Sequence, residues 1–346
     1  MVTISSQEPR GRARLVDVAE RSGVTKSIVS RVINGDTTLR IRPETRTRIL
    51  RIADDLGYRP HAGARALSLS RTGVLALLIP DLSNSVYAAV TRGAYRQARE
   101  LGYAVLLAED TADVGGGDDY AELVISGRVD GLLVASARAD HPLVDRLLRE
   151  PDAIAHVFVN REVPGSHRNV GLDMAGASAA AVDHLVAHGH RHIAMTPGPP
   201  ELTPAQARLG GFRARLEHHG LSPEAIASGD FSEAGGYTAA REILTRWPST
   251  TALYTSTFVQ AIGAMQAARS LGRRLPHDLS IITYDDSPMA DYLEPRLTTV
   301  AMPLAELGAT AVDLLVEQLA SGQVRDLRIE DGFRIVERDS VVPPTR

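Results

Sequence analysis

LVDVAERSGVTKSIVSRVIN, residues 15–34, carries a two-helix pattern interrupted by one glycine. Leu15, Val18 and Ala19 stand at the i, i+3, i+4 spacing that marks one apolar helix face. Gly23 tolerates the positive φ of a tight turn. Val24 plugs the space between the helices, and the Thr25 hydroxyl is placed to cap a second helix. That helix buries Val29, Val32 and Ile33 and leaves Lys26, Ser27, Ser30, Arg31 and Asn34 outside. A third helix begins at Pro43, a residue favoured in a first turn. Ile49, Ile52, Ala53 and Leu56 give it a buried stripe, and Gly57 ends it. Two readings fit this all-α unit. One is a plain bundle with a solvated polar face. The other is a helix-turn-helix whose second helix enters a major groove with its N-terminal residues at base edges.

Charge separates the two readings. The 346-residue chain has a formal net charge of −4, yet residues 1–71 hold 14 basic and 7 acidic side chains and the remainder 24 and 35. A compact basic end suits a polyanion, while an acidic body keeps the molecule soluble. Lys26 is the only lysine in the chain, and it sits at the start of the second helix. Ser and Thr can bond phosphates or base edges, and Arg and Asn can read bases bidentately. The basic charge, the turn glycine and the polar face together favour the helix-turn-helix reading.

Beyond Gly73 the rhythm changes. Apolar runs of about five residues recur at 74–79, 104–108, 131–135, 156–159, 193–196, 251–255 and 279–283. Near-continuous apolar runs are how strands buried on both faces of a parallel sheet read. Helix-length amphipathic stretches lie between them, at 85–101, 174–188, 204–217, 235–246 and 258–271. Strand–helix alternation implies doubly wound α/β structure, and seven units over this length imply two lobes rather than one sheet. The chain has no cysteine, which excludes disulfides, iron–sulfur clusters and Cys-type zinc sites. No apolar run reaches the ~18–20 residues of a membrane span. The segment MVTISSQEPRGRARL lacks an apolar h-region, so a cytoplasmic protein is expected.

At this level of detail the sequence resembles the lactose-repressor (LacI/GalR) family of bacterial regulators. The likeness runs through LVDVAERSGVTKSIVSRVIN, PETRTRILRIADDLGYRPHAGARAL and VLALLIPDLSNSVYAAVTRGAYRQARELGY. It continues through GRVDGLLVA, VFVNREVP, VGLDMAGA, DHLVAHGHRHIA, ARLGGFRARL, GDFSEAGGY and ITYDDSPMADYLEPRLTTVAMPLAELG, in family order and spacing. The resemblance implies a headpiece over 15–58 after a disordered arm (1–14), a hinge over 59–72, and an effector-binding and dimerisation domain over 73–346. That domain is expected to be a two-lobed, periplasmic-binding-protein-like (type I) α/β body with parallel sheets. Its N-lobe would take 73–171 and 301–333, its C-lobe 172–300 and 334–346.

The family resemblance also implies partners: double-stranded operator DNA read by a homodimer, a small-molecule effector such as a sugar or related metabolite, no cofactor and no membrane. The implied DNA contacts are Thr25, Lys26, Ser27, Ser30, Arg31, Asn34 and Tyr58. Leu67 matches the leucine that family members wedge into a minor groove, where unstacking a base step kinks the duplex. A linker leucine packed on the body is the alternative. Carried over residue by residue, the effector positions are Asn84 and Tyr87 after the first strand, Asn160 and Arg161 after HVFV, and Arg208 in ARLGGF. Phe231 in GDFS and Asp285 in ITYDD complete the main set. Arg208 and Asp285 carry the most weight, with an inter-lobe salt bridge as their other reading. The family's Asn-Asp pair is replaced by Thr257-Phe258, a hydroxyl and an aromatic in place of two polar groups, which argues against assuming a plain sugar.

Three further features of the sequence bear on other chemistries. His184 and His188 stand at i, i+4, a metal-gripping spacing, but no nearby carboxylate set completes a site and no metal is expected. Gly115-Gly116-Gly117 lacks the Lys-Ser/Thr of a phosphate loop. No G-x-S-x-G nucleophile elbow occurs, so no enzyme is expected. A solute-binding protein built on the same body without a regulatory role is the alternative function.

Overall fold

The computed structural model describes residues 13–59, 71–82, 84–110, 117–136, 141–222 and 225–345. It contains two compact units, Met1–Gly73 and Val74–Arg346. Leu67 and nearly all of the expected hinge lie outside the described residues.

The first unit holds three helices, α1 (Leu15–Ser22), α2 (Lys26–Ile33) and α3 (Pro43–Asp55). Val18, Ala19, Val29, Val32, Ile49 and Ala53 form its core, one apolar face from each helix. Gly23 takes φ +66° and closes α1, and the next amide, of Val24, returns to the Ala19 carbonyl at 3.2 Å. The Thr25 Oγ1 accepts from the Ile28 amide at 3.4 Å and caps α2. At the end of α3 the Tyr58 amide reaches the Ala53 carbonyl at 2.8 Å, which folds Tyr58 back onto the core.

The second unit has two sheets. The first contains β1 (Val74–Ile79), β2 (Ala104–Glu109), β3 (Gly131–Val134), β4 (His156–Val159), β5 (Asn169–Leu172) and β10 (Leu327–Ile329). Its order is β10-β5-β4-β3-β1-β2, and every pairing is parallel. The second contains β6 (Ile193–Thr196), β7 (Ala252–Thr255), β8 (Ser280–Tyr284), β9 (Thr298–Ala301) and β11 (Arg334–Val336), in the order β11-β9-β8-β7-β6. Only β11 runs antiparallel, against β9. Parallel neighbours need crossovers, and the helices supply them: α4 (Ser85–Glu100), α5 (Gly117–Ile125), α6 (Pro142–Arg149), α7 (Met174–Ala187), α8 (Thr203–His218), α9 (Glu233–Arg246), α10 (Phe258–Ser270) and α11 (Leu304–Ser321). Strands β1, β3, β4, β6, β7 and β8 are buried almost throughout, because helices cover both faces of each sheet. Strands β5, β9, β10 and β11 and helices α5, α6 and α11 extend the alternation read from the sequence.

The chain passes between the lobes three times, after β5, after β9 and after β10. In the first lobe α4 and α11 pack face to face through glycines. A Cβ added to Gly93 would stand 1.8 Å from the Ala305 carbonyl oxygen, and one added to Gly308 would stand 2.1 Å from that of Val90. Neither helix backbone can yield without lifting off its partner. Gly93→Ala is therefore expected to destabilise the protein by about 1–3 kcal/mol, the usual cost of overpacking, read as a lowered urea midpoint. The exposed Gly210→Ala, which meets nothing within 4 Å, is the control expected not to lower it.

Candidate functional site

Polar side chains gather where strands end. Among the described residues, eleven buried side-chain nitrogen or oxygen atoms have no hydrogen-bond partner. Eight of them are the Ser136 Oγ, Asn160 Oδ1, Thr196 Oγ1, Arg208 Nε, Ser256 Oγ, Tyr284 hydroxyl and both Asp285 carboxylate oxygens. Ser136 and Asn160 follow β3 and β4 of the first lobe; Thr196, Ser256, Tyr284 and Asp285 end or follow β6, β7 and β8 of the second. Carboxyl ends of parallel strands are where open α/β sheets take ligands. Buried polar groups are normally paired, so this concentration marks a place built to meet something else.

Asp285 and Arg208 dominate its electrostatics. Asp285 is 2% exposed and takes φ +70°; Asn160, at the matching strand end of the other lobe, takes φ +58°. Both are left-handed positions that most residues avoid and Asn and Asp tolerate. Burial, opposed by the Arg208 charge, pushes the Asp285 carboxyl up to about 6. Arg208 projects from α8, lies over the Tyr284 ring with its Cζ 3.8 Å from the ring centroid, and stands 5.9 Å from the Phe231 centroid. Its Nη1 donates to the Ser256 carbonyl at 3.1 Å, which ties α8 to the end of β7. Burial works against the Arg208 charge, but Tyr284 and Asp285 outweigh it and raise its pKa. Burial likewise pushes the Tyr284 phenol up, leaving it a neutral hydroxyl.

The cleft keeps a small opening on the first-lobe side. A cavity of about 80 Å³ separates Asn160 and Arg161 from Thr203, Pro204 and Ala207 of α8. The N-terminus of α7, capped by Asp173, forms part of its wall. The Arg161 Nε donates to the Ala135 carbonyl at 3.2 Å, which leaves the rest of the guanidinium for the cavity.

The structure brings Arg208, Phe231 and Asp285 together at the strand ends of the second lobe, and sets Asn160 and Arg161 on a cavity that the first turns of α8 also wall. It places the other four effector candidates differently. The Asn84 Oδ1 accepts from the Val86 amide at 3.1 Å and caps α4. Tyr87 is buried in the main apolar cluster, and Phe258 in the cluster behind β7 and α10. The Thr257 Oγ1 caps α10 through the Gln260 amide at 3.4 Å. Sequence reasoning missed Ser136, Thr196, Ser256 and Tyr284. A signal was available: each ends or directly follows one of the apolar runs already read as strands.

On the headpiece, Thr25, Lys26 and Ser27 are exposed at the start of α2, and Ser30, Asn34 and Tyr58 are half-buried. Arg31 is exposed but engaged. Its Nε contacts the Asp36 Oδ2 at 2.6 Å and its Nη2 the Thr38 Oγ1 at 3.2 Å. Hydrogen bonds from Thr38 and Arg31 hold the Asp36 carboxyl down at about 2. The 35–42 loop thus buttresses α2 through one of the residues expected to read DNA.

With the geometry in hand, comparison with known proteins is decisive. Residues 14–61 match the profile "Bacterial regulatory proteins, lacI family", and residues 182–341 match "Periplasmic binding protein-like domain". The ribose operon repressor of Escherichia coli (strain K12) is 31% identical over 331 residues, covering 95% of this chain and 99% of that protein. The chain belongs to the lacI family of bacterial regulatory proteins. It is a DNA-binding transcriptional regulator. A second relative, the HTH-type transcriptional repressor PurR of Salmonella paratyphi B (strain ATCC BAA-1250 / SPB7), is 32% identical over 333 residues, 95% of this chain and 97% of its own. The fold also superposes on the lac repressor dimer bound to operator and the anti-inducer ONPF, with a TM-score of 0.81, 25% identity, and coverage of 96% and 100% of the two chains. A solute-binding role without regulation is not favoured, since both relatives are transcriptional repressors. No helix among the described residues is long and apolar enough to cross a membrane.

The raised Asp285 carboxyl makes a pH prediction for this family member without added ligand. Its folded pKa lies above the ordinary 3.8, so the folded state binds more protons between about pH 4 and 6. Stability then falls as pH rises through that window. Asp285→Asn should remove this loss and gain stability relative to wild type as pH rises from 4 to 7, by on the order of 3 kcal/mol. Parallel melting curves of the two proteins across that range check it; curves that stay a constant distance apart would refute it.

Proposed function

We propose that this protein is a cytoplasmic repressor that acts without turnover and whose operator affinity is set by a small polar effector held between the two lobes. Residues 15–58 serve as the headpiece, 59–72 as the hinge and 73–346 as the effector-binding and dimerisation domain. The observation that carries the reading is the cluster of unpartnered polar groups at the strand ends of a body fused to a helix-turn-helix. Asp285 accepts hydroxyl or N–H donors from the effector, Arg208 and Arg161 donate to its oxygens, and Phe231 covers an apolar face. A sugar or related metabolite has this mixture of groups. Among the described residues, none of the Ser136, Thr196 or Ser256 hydroxyls has a base within hydrogen-bond reach, which supports binding rather than catalysis.

DNA recognition rests on α2. Lys26 and Ser27, exposed in its first turn, take the base edges, with Thr25 and Ser30 at phosphates or edges and Asn34 toward the far end. Arg31, held by Asp36, acts more as a fixed positive charge than as a free reader. The homodimer expected of this arrangement has an available surface. Edge strand β2 exposes Leu106 and Leu107, and Leu101 is exposed between α4 and β2. A tenfold change in operator affinity needs about 1.4 kcal/mol of effector preference for one state.

Two experiments test these assignments. A thermal-shift screen with sugars, polyols, nucleosides and purine bases should find a stabilising ligand whose effect Asp285→Ala abolishes; retention of the shift in that variant would remove Asp285 from the site. In a randomised-oligonucleotide selection, Lys26→Ala should change the preferred operator sequence, whereas a lost phosphate contact would weaken all sequences evenly. An unchanged profile would remove Lys26 from base readout.

A further inference from the structure

The histidines of the 184–192 stretch take no part in the cleft. His184 and His188 lie one turn apart at the end of α7, the second as its C-cap, with ring centroids 4.4 Å apart. The carboxylate beside them in sequence, Asp183, is turned to Arg215 and His219. The fold supplies another: β11 returns alongside α7, and Glu337 follows it immediately. His184, His188 and Glu337 each present one ligand atom, and all three atoms lie within 4.8 Å of one another. The His188 Nε2 stands 3.5 Å from a Glu337 carboxylate oxygen.

Two details point to a cation rather than to a chance grouping. The His188 Nδ1 lies 2.8 Å from the His184 carbonyl oxygen. A proton on Nδ1 makes that contact a hydrogen bond, which fixes the ring and leaves the Nε2 lone pair facing the others. Metal-binding histidines are oriented in this way. The His184 Nε2 is buried and has no hydrogen-bond partner, an unmet acceptor or donor inside the protein. Neighbouring histidines are differently occupied. The His190 nitrogens lie 2.9 Å from the Thr251 Oγ1 and 3.0 Å from the Val342 carbonyl oxygen. The His219 Nε2 lies 2.7 Å from Asp183, which already takes Arg215 at 2.6 and 2.7 Å.

We propose that His184, His188 and Glu337 bind a divalent transition-metal ion, Zn²⁺ being the best match, with water completing the coordination. Two imidazoles and one carboxylate suit zinc, whereas Mg²⁺ and Ca²⁺ require oxygen-rich sets. Ligands about 2.0–2.1 Å from a tetrahedral zinc stand about 3.3 Å from one another. The separations in the triad, none above 4.8 Å, must therefore close by up to about 1.5 Å, and the Glu337 side chain, 66% exposed, has room to move toward the histidines. The ion pins the end of α7 to the segment leading to the C-terminus. The opposite end of α7 lines the effector cavity, so the metal braces a helix that the cleft depends on.

The test uses full-length protein stripped with EDTA and titrated with Zn²⁺ by calorimetry, with melting curves in parallel. One zinc per chain is expected, with a rise in melting temperature. His188→Ala and Glu337→Gln, both on partly exposed side chains, should each weaken binding at least tenfold. Their apo melting temperatures report whether each variant folds. Loading with Co²⁺ should produce visible absorption bands that His188→Ala abolishes and His219→Ala retains. The site is disproved if zinc binds wild type and both variants with equal affinity, or if micromolar zinc leaves the wild-type protein unoccupied.

Discussion

The placement of a buried carboxylate and a buried guanidinium at the carboxyl ends of one sheet, close enough to feel each other's charge but not bonded, governs the body of this protein. Isolated buried charges are costly, and a fully bonded pair would close the site. Asp285 and Arg208 sit between these limits. Arg208 is held by stacking on Tyr284 and by the Ser256 carbonyl, while both Asp285 oxygens remain uncommitted. A molecule that supplies donors to Asp285 and acceptors to Arg208 removes a standing desolvation cost. Binding energy in this cleft therefore comes from completing an unfinished polar network as much as from new contact area.

Much of this was legible beforehand because its causes are local. The boundaries of β1, β4 and β6 coincide with apolar runs that only a doubly covered strand produces. The first two headpiece helices follow from Gly23, Thr25 and the stripe of Val29 and Val32. The elements that escaped notice lack such signatures. Strand β5 is four residues with a central glycine, β9 opens with two threonines whose hydroxyls are buried, and β10 and β11 are three residues each with an arginine. These strands exist because neighbouring strands offer them unpaired backbone, which is a tertiary cause. For the same reason a carboxylate at 337 could not be matched with histidines at 184 and 188 before the return of β11 was known.

The site residues divide along a similar line. Positions ending long apolar runs, such as Asn160 and Asp285, are visible from chain direction alone, and their left-handed backbone adds a physical reason for Asn and Asp there. Asn84 and Thr257 also follow strands, yet their oxygens cap α4 and α10. Strand-end position does not distinguish a capping oxygen from one that faces the cleft; only the location of the next helix does. Arg31 illustrates the reverse case, since an exposed arginine on a recognition helix looks free until Asp36, five residues on, is found against it.

The glycine-mediated contact between α4 and α11 has a mechanical meaning. Helix α11 begins just after β9, the last strand of the second lobe before the chain crosses over, and α4 begins just after β1, the first strand of the first lobe. With backbone resting on backbone at Gly93 and Gly308, no layer of deformable side chains lies between them to absorb a shift. Any displacement of β9 would thus be passed from α11 to α4 through a stiff contact rather than taken up by side chains.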